Sequence, residues 1–598
     1  MFRFNVLCIY VPFCICLSPE PITIPGQGTI AGVEVSKLRI QKIIAYYGIP
    51  YAQPPVKKLR FVPPVTDSLP EVQNVSGYRS ACPQSEEAYK ESELPFLQLI
   101  PDYKVVEYSE DCLYLNVFVP VGNHPEVGFA TIIWFHPGNF LIGTPNIWNP
   151  HTLVYRQRVI VVTVAWRLNI FGFLTTMDGE APGNYGLLDQ QAAMQWVKNN
   201  IKLFGGNPDN ICLMGYGAGA TSIGLHMTNP KSVQLFNKAI AMSGDYLSPT
   251  TIKMPEEDRA LLDSIARKLD CPRKPVSTLL KCLRNADVDI LLKVAGTHTW
   301  RPILDASLSN SSYQPFLSEP PIMYFEREDS LKVPFLTGYT QMEQILEIPE
   351  LNNTQISSDA LRNLFVKLMQ QELPHNNDTE SSCEYHPDHI IDAVMFFYGP
   401  ELTLKEMDEF RQIVTDFLTE KNFAAPAFLQ ALSISKDRPV YMYRFDMKPS
   451  TSSAMNQIPD WVTVCHLFDL IYVWGFPYWE NTTQKWDHRD KRISDTIMSL
   501  WTNFAKYSDP TANAIFPIKW QPFTQENPGI MIIDGNFDMG NSNNLNYKSF
   551  EFWNKYYPKI RDVATRCCEI SDSGAISLSV NLIAYLFFVV PLPIICYV

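Results

Sequence analysis

Residues Asn210 to Ala220, which read Asn-Ile-Cys-Leu-Met-Gly-Tyr-Gly-Ala-Gly-Ala, constrain this chain more than any other stretch. Ile211 to Met214 is a short apolar run of the kind that forms a buried strand. Gly215, Gly217 and Gly219 follow on alternate positions, and Ala218 to His226 is compatible with a helix. Strand, sharp glycine turn, helix is the layout of a nucleophile elbow, Gly-x-Ser-x-Gly. Gly215 and Gly219 take its outer glycine positions, and Gly217 stands where the serine belongs. Glycine adopts the strained central conformation of such a turn easily, but it carries no oxygen with which to attack. The same residues fit a second pattern. Gly215-x-Gly217-x-x-Ala220 matches the dinucleotide fingerprint, and Asp245 ends the next apolar run, roughly where a ribose-binding acid belongs. This stretch alone does not separate the two.

The 598 residues can bury a large core, and a hydrophobic content of 46% with 19% charge describes an ordered chain. A formal net charge of -13 argues against a nucleic-acid partner. Both ends are apolar. Arg3 precedes an apolar run to Leu17, and Ser18-Pro19-Glu20-Pro21 breaks it, so residues 1–18 read as a secretory signal peptide. At the other end Leu582 to Val598 is apolar, preceded by Ser571-Asp572-Ser573-Gly574-Ala575 and a semi-polar spacer to Asn581. Small residues, spacer and apolar tail form the pattern of lipid-anchor attachment, at Ser571 or Ser573. The alternative is a plain membrane span from about Ile576; the lack of a basic stop-transfer segment favours the anchor. The expected organisation is a single domain over 19–560, a stalk over 561–581 and a tail over 582–598.

A secretory route permits disulfides among the cysteines outside the two end segments. It also gives meaning to the sequons at Asn74, Asn310, Asn352, Asn377 and Asn481. Cys383, Cys465, Cys567 and Cys568 cannot be paired from sequence, and Cys212 reads as a buried core thiol.

Residues 22–45 alternate as an edge hairpin does. Thr131 to Phe135 is apolar and leads into His136-Pro137-Gly138-Asn139-Phe140. Val159 to Trp166 is a β-branched run, as in a strand buried on both faces. Gly183 to Gln190 opens a helix with Met194, Val197 and Ile201 at helical spacing. Strands are expected at 238–242, 333–337, 439–445 and 530–534, and helices at 257–269, 358–371, 404–419 and 490–507. Alternating strands and helices imply an α/β sheet covered on both sides.

The fragments Gly48-Ile49-Pro50-Tyr51-Ala52, Glu110-Asp111-Cys112-Leu113-Tyr114-Leu115-Asn116, Gly183 through Gln190 and the glycine elbow resemble the type-B carboxylesterase/cholinesterase family, in its order, over about 22–558. The resemblance implies an α/β-hydrolase fold with a mostly parallel central sheet, and no cofactor or metal. It sets the dinucleotide reading aside, which explains the elbow and nothing else. Family enzymes use serine, glutamate and histidine. The resemblance places the acid at Glu343, within Gly338-Tyr339-Thr340-Gln341-Met342-Glu343-Gln344, where Met342 and Gln344 replace the usual aspartate and glycine. It places the histidine at His466, three residues before Asp469. Gly138, Asn139 and Ala218 match the oxyanion-hole positions, while Pro137 removes an N–H and freedom from that loop. Ser222, Ser243 and Cys465 are weighed as substitute nucleophiles and set aside. The resemblance also implies disulfides Cys82–Cys112 and Cys271–Cys282, and lacks a third bridge where Ala425 and Phe550 stand.

The elbow itself is similar to that of neuroligin-like adhesion molecules, which share the fold without the serine. The expectation is therefore a cell-surface glycoprotein without hydrolase activity that recognises an extracellular protein partner. Alternatives are a protein that sequesters an apolar ligand in a residual gorge and, lower, a residual carboxylic ester hydrolase. Family dimers imply a homodimer through the helices near 358–371 and 547–558, with Leu361, Leu364, Phe365, Leu368, Phe550, Trp553 and Tyr557 at helical spacing.

Overall fold

The apolar runs pair into one sheet because each is buried along its whole length. Phe129–Phe135, Ile160–Val164, Lys238–Met242 and Phe335–Thr340 have no exposed residue, as expected of strands covered on both faces. The computed structural model describes residues 20–564 except 38–40, 73–74, 87–106, 250, 297, 309–312, 328–331, 354–355, 371, 374–385, 401–403, 405, 452–457, 480–481, 483 and 513–518. The stalk beyond residue 564, the tail, the leader, Ser571, Ser573, Cys383, Cys567, Cys568 and four of the sequons, Asn74, Asn310, Asn377 and Asn481, lie outside the described residues.

In chain order the strands are β1 (Val33–Lys37), β2 (Gln41–Pro50), β3 (Tyr114–Pro120), β4 (Phe129–Phe135), β5 (Ile160–Val164), β6 (Gly206–Tyr216), β7 (Lys238–Met242), β8 (Phe335–Thr340), β9 (Val440–Phe445), β10 (Ile530–Ile533) and β11 (Asp538–Met539). Their order across the 11-stranded sheet is β11-β10-β9-β8-β7-β6-β4-β5-β3-β2-β1. Pairings from β5 through β10 are parallel, and those at both edges are antiparallel. This is the α/β-hydrolase architecture. A separate two-stranded hairpin, Ile22–Ile24 with Gly28–Ile30, precedes β1. The edges are polar or short: Lys42 and Glu34 form an ion pair across β1 and β2 at 2.7 Å, and β11 has two residues.

Helix α1 (Tyr185–Asn200) packs on β6, and α2 (Ala218–Thr228) packs on β6 and β7. Trp134 of β4, Trp148 and Trp474 form a buried cluster with ring centroids 5.0 to 5.7 Å apart. Burying such large rings is among the stronger apolar contributions a core can have. Both disulfides, Cys82–Cys112 and Cys271–Cys282, are formed.

The chain forms two compact units. The first runs to Thr354 and resumes over Met407–Glu551, and the second comprises Gln355–Glu406 and the chain from Phe552. In the second unit Ser358–Met369 buries Leu361, Leu364 and Phe365, and Trp553 Nε1 donates to Tyr398 Oη at 2.6 Å. Tyr557 Oη donates to Glu372 at 2.8 Å. The helical spacing of these apolar residues is thus used for packing within the chain. Among the described residues no helix is long and apolar enough to cross a membrane.

Candidate active site

The elbow follows β6 directly. Gly217 takes φ +52° and ψ −117° and caps the start of α2. That backbone region is costly for a residue with a side chain, of order 1–3 kcal/mol, and easy for glycine. The turn is held by Gly217 N–H donating to Met242 O at 3.0 Å and by Thr221 N–H donating to Gly217 O at 2.9 Å. It is tightly enclosed: a Cβ on Gly219 would lie 2.1 Å from Phe135 O. At Gly217 there is room. A Cβ there would lie 3.6 Å from His466 Nε2 and 3.8 Å from Pro137 Cβ, ordinary contact distances. A hydroxyl on such a carbon can reach hydrogen-bonding distance of the imidazole; glycine leaves the position empty of any attacking atom.

Glu343 lies three residues past the end of β8 and is fully buried. Its Oε1 accepts from Thr340 N–H at 2.7 Å, and its own N–H donates to Thr419 Oγ1 at 3.0 Å. Its Oε2 lies 2.5 Å from His466 Nδ1. A carboxylate only accepts, so Nδ1 carries the proton and Nε2 faces the elbow. Burial pulls the His466 imidazolium down, but the adjacent Glu343 carboxylate, by charge and hydrogen bond, outweighs it and holds the group above its ordinary range.

The two loops carrying this pair are joined by a parallel bridge between Met342 and Cys465, with Met342 N–H donating to Val464 O at 3.0 Å and Thr463 Oγ1 donating to Gln341 Oε1 at 2.6 Å. On the other side Leu467 N–H donates to Tyr216 Oη at 2.7 Å, and the Tyr216 ring packs edge-on to His466 at 4.8 Å. Tyr216 is thus a positioning residue that ties the histidine loop to the elbow strand. Asp469 accepts from Tyr443 Oη at 2.8 Å, and burial pushes its carboxyl up to about 7. Gln344, where the family pattern has glycine, takes φ +55°, and Asn422 Nδ2 holds its side chain at 2.8 Å. That backbone costs a non-glycine residue roughly 1–2 kcal/mol.

The oxyanion-like loop after β4 turns through three positive φ values, +123° at Gly138, +52° at Asn139 and +61° at Phe140. Leu141 and Ile142 N–H both donate to Gly138 O, at 2.9 and 3.0 Å. Among the described residues the N–H groups of Gly138 and Asn139 have no hydrogen-bond partner, and that of Ala218 opens α2, where no intrahelical acceptor exists. His136, stacked on Trp166 at 4.9 Å, is pushed down to about 4 by burial and stays neutral.

The remaining named residues lie elsewhere. Ser222 Oγ donates to Ala218 O at 2.8 Å, and Ser243 is fully buried. Cys212 and Cys465 are free and buried; burial pushes both thiols up, Cys212 to about 12. Asp245 is 2% exposed and accepts from Leu247 N–H at 2.7 Å, so it opens on no cofactor cleft. Asn352 is exposed on the short helix Glu350–Asn353. Among the described residues no cluster of metal-ligating side chains exists.

A buried carboxylate behind an imidazole that faces a strand–elbow–helix turn, at the carboxyl ends of parallel strands, defines the hydrolase scaffold. The sequence pattern of the carboxylesterase family matches residues 19–553, and the chain belongs to that family. It is 28% identical to the cholinesterase of Mus musculus over 579 residues, 93% of this chain and 90% of the relative. It is 29% identical to carboxylesterase 5A of Mus musculus over 562 residues, 91% of this chain and 90% of the relative. Acetylcholinesterase of Bungarus fasciatus is 27% identical over 579 residues, 93% of this chain and 90% of the relative.

Proposed function

We propose that this member of the carboxylesterase family is not a hydrolase, and that it acts at the cell surface by recognising an extracellular protein. The observation that carries the reading is Gly217: the position facing His466 Nε2 has room for a side chain and carries none. An orienting acid and a base without a hydroxyl to activate cannot form an acyl-enzyme. Loss of the nucleophile costs on the order of 10⁶ in rate where it has been measured in a serine hydrolase. The secretory leader and the small-residue segment before the apolar tail support placement on the outer leaflet through a glycolipid at Ser571 or Ser573. A homodimer belongs to the same proposal, and among the described residues exposed Val366, Phe396, Tyr556 and Val563 are apolar side chains of the second unit that could serve it.

A second reading rests on one observation. The His466 side chain keeps 26% exposure while Glu343 behind it has none. Open space thus remains in front of the imidazole, and a small apolar ligand can occupy it.

The test is a binding screen of the full chain against cells displaying surface proteins, run beside an aryl-ester hydrolysis assay. Recognition predicts saturable binding lost when the target cells are protease-treated, with no organophosphate-sensitive hydrolysis. Rapid hydrolysis blocked by an organophosphate overturns the proposal. Binding that survives protease, or an apolar ligand co-purifying in stoichiometric amount with no cell binding, replaces it with the second reading.

A further inference from the structure

The acidic balance of this chain has a local exception in the first unit. A groove of about 720 Å³ is lined by Lys57, Lys58, Lys281 and Arg284, with no carboxylate and no aromatic ring in its lining. The net charge of the whole chain is -13. Lys57, Lys58 and Lys281 are exposed and form no ion pair among the described residues. Like charges brought together without counter-charges repel, so such a cluster is a standing site for an anion.

The groove is also rigidly built. One wall is the 3-10 turn Lys57–Leu59 and the other is the helix Val276–Asn285. Arg60 clamps the two together. Its Nη1 donates to Leu283 O at 2.8 Å and Ala286 O at 2.7 Å, while Arg284 Nε donates back to Arg60 O at 2.9 Å. The charge of Arg60 is consumed by Glu110, at 2.6 Å to both carboxylate oxygens. Asp287, just beyond the helix, is committed to the N–H groups of Asp289 and Ile290. The Cys271–Cys282 disulfide ties this helix to the preceding segment. Lys57 sits at φ +51°, a left-handed backbone held at the point where two adjacent lysines are presented outward.

We infer that this groove binds a sulfated polysaccharide, with Lys57, Lys58, Lys281 and Arg284 pairing its sulfate groups. The volume falls in the range of ligand sites, about 300–1,000 Å³, and exceeds what one phosphate fills. Without an aromatic platform the groove cannot stack nucleobases, which disfavours nucleotides and single-stranded nucleic acid. The net charge of -13 disfavours non-specific binding of a long polyanion elsewhere on the chain. The proposed secretory route would bring the chain to where sulfated glycans occur. The inference does not depend on the state of the elbow.

The experiment uses the full-length chain and a heparin-derived octasaccharide, with affinity measured by surface plasmon resonance between about 50 and 200 mM salt. Four ion pairs predict a slope of log affinity on log salt near −3, on the single-strand coefficient. Charge reversal of the three exposed lysines (Lys57→Glu, Lys58→Glu, Lys281→Glu) is expected to weaken binding at least tenfold and flatten the slope, with an unchanged unfolding temperature. The matching Lys→Arg triple variant keeps both. De-sulfated octasaccharide does not bind, and free inorganic phosphate competes only at high concentration. The inference fails if the wild type does not bind the octasaccharide, if charge reversal leaves affinity and slope unchanged, or if single-stranded DNA of equal charge binds as tightly.

Discussion

Gly217→Ser tests the site most directly, because the structure fixes both what it gains and what it costs. The new Cβ meets His466 Nε2 at 3.6 Å and Pro137 Cβ at 3.8 Å, so the side chain enters without collision. The backbone at φ +52° and ψ −117° is the obstacle. Holding serine there costs of order 1–3 kcal/mol, which should lower the unfolding temperature by a few degrees at most in a chain this long. Gly217→Ala carries the same strain without the hydroxyl and serves as the control. In activity, the serine meets an imidazole already oriented by Glu343 at 2.5 Å. It also meets a donor loop in which Asn139 sits at φ +52° and Pro137 lies beside the elbow. One misplaced oxyanion donor costs about 10²–10³. Fluorophosphonate labelling is therefore expected to be absent in the wild type and in Gly217→Ala, and slow in Gly217→Ser. It is expected to rise at least tenfold when Pro137→Gly and Asn139→Gly are added. Equal labelling of the wild type and Gly217→Ser would refute the reasoning, since it requires a nucleophile elsewhere. So would a folded Gly217→Ser protein that stays unlabelled with both loop changes present, since His466 would then not be poised.

Asp245 gives a pH signature. Burial pushes its carboxyl up to about 7, and its Oδ2 has no hydrogen-bond partner among the described residues. A raised carboxyl favours the folded state below its unfolded pKa near 4 and loses that contribution as pH rises to about 7, at most about 4 kcal/mol in all. His466, also raised, acts with the same sign from about 6.5 upward. The unfolding temperature should fall across this window, and Asp245→Asn should flatten the fall; an unchanged slope assigns it elsewhere. Removing Cys82–Cys112, separated by 30 residues, should lower stability in urea by about 3–4 kcal/mol, and removing Cys271–Cys282, separated by 11, by somewhat less; the reverse ranking contradicts loop entropy as the source. Phosphatidylinositol-specific phospholipase C should release the protein from cells, and retention of Leu582–Val598 in a membrane-bound mature chain would exclude the lipid anchor.

The sheet was legible because its strands are continuous apolar runs, and a run such as Val159 to Trp166 has few other uses. The elbow was legible because alternate glycines after a strand leave little choice of backbone. His466 and Glu343 were reached through family resemblance, since no periodicity links residues 123 apart. Tyr216 escaped notice for the same reason: its hydroxyl holds Leu467, 251 residues away. The helices near 358–371 and 547–558 show where pattern reading is ambiguous. Apolar residues at helical spacing look alike whether they face a partner or a core, and Leu361, Phe365, Phe550 and Trp553 are buried within the chain. The charged groove was invisible in sequence because Lys57-Lys58 and Lys281 lie more than 200 residues apart and meet only in the fold, where Arg60 and Arg284 bond across the two segments.

The ends of the central sheet limit how any partner can engage. A strand of two residues at one margin, and one carrying Glu34 and Ser36 at the other, offer little main chain to a foreign strand. Recognition by extending the sheet across two molecules is thereby discouraged. For the proposed recognition role, affinity would come from side chains on helices and loops, which can change one at a time without disturbing the scaffold. The hydrogen-bonded interior stays fixed under such changes, and the short or charged sheet edges leave few templates for fibre growth.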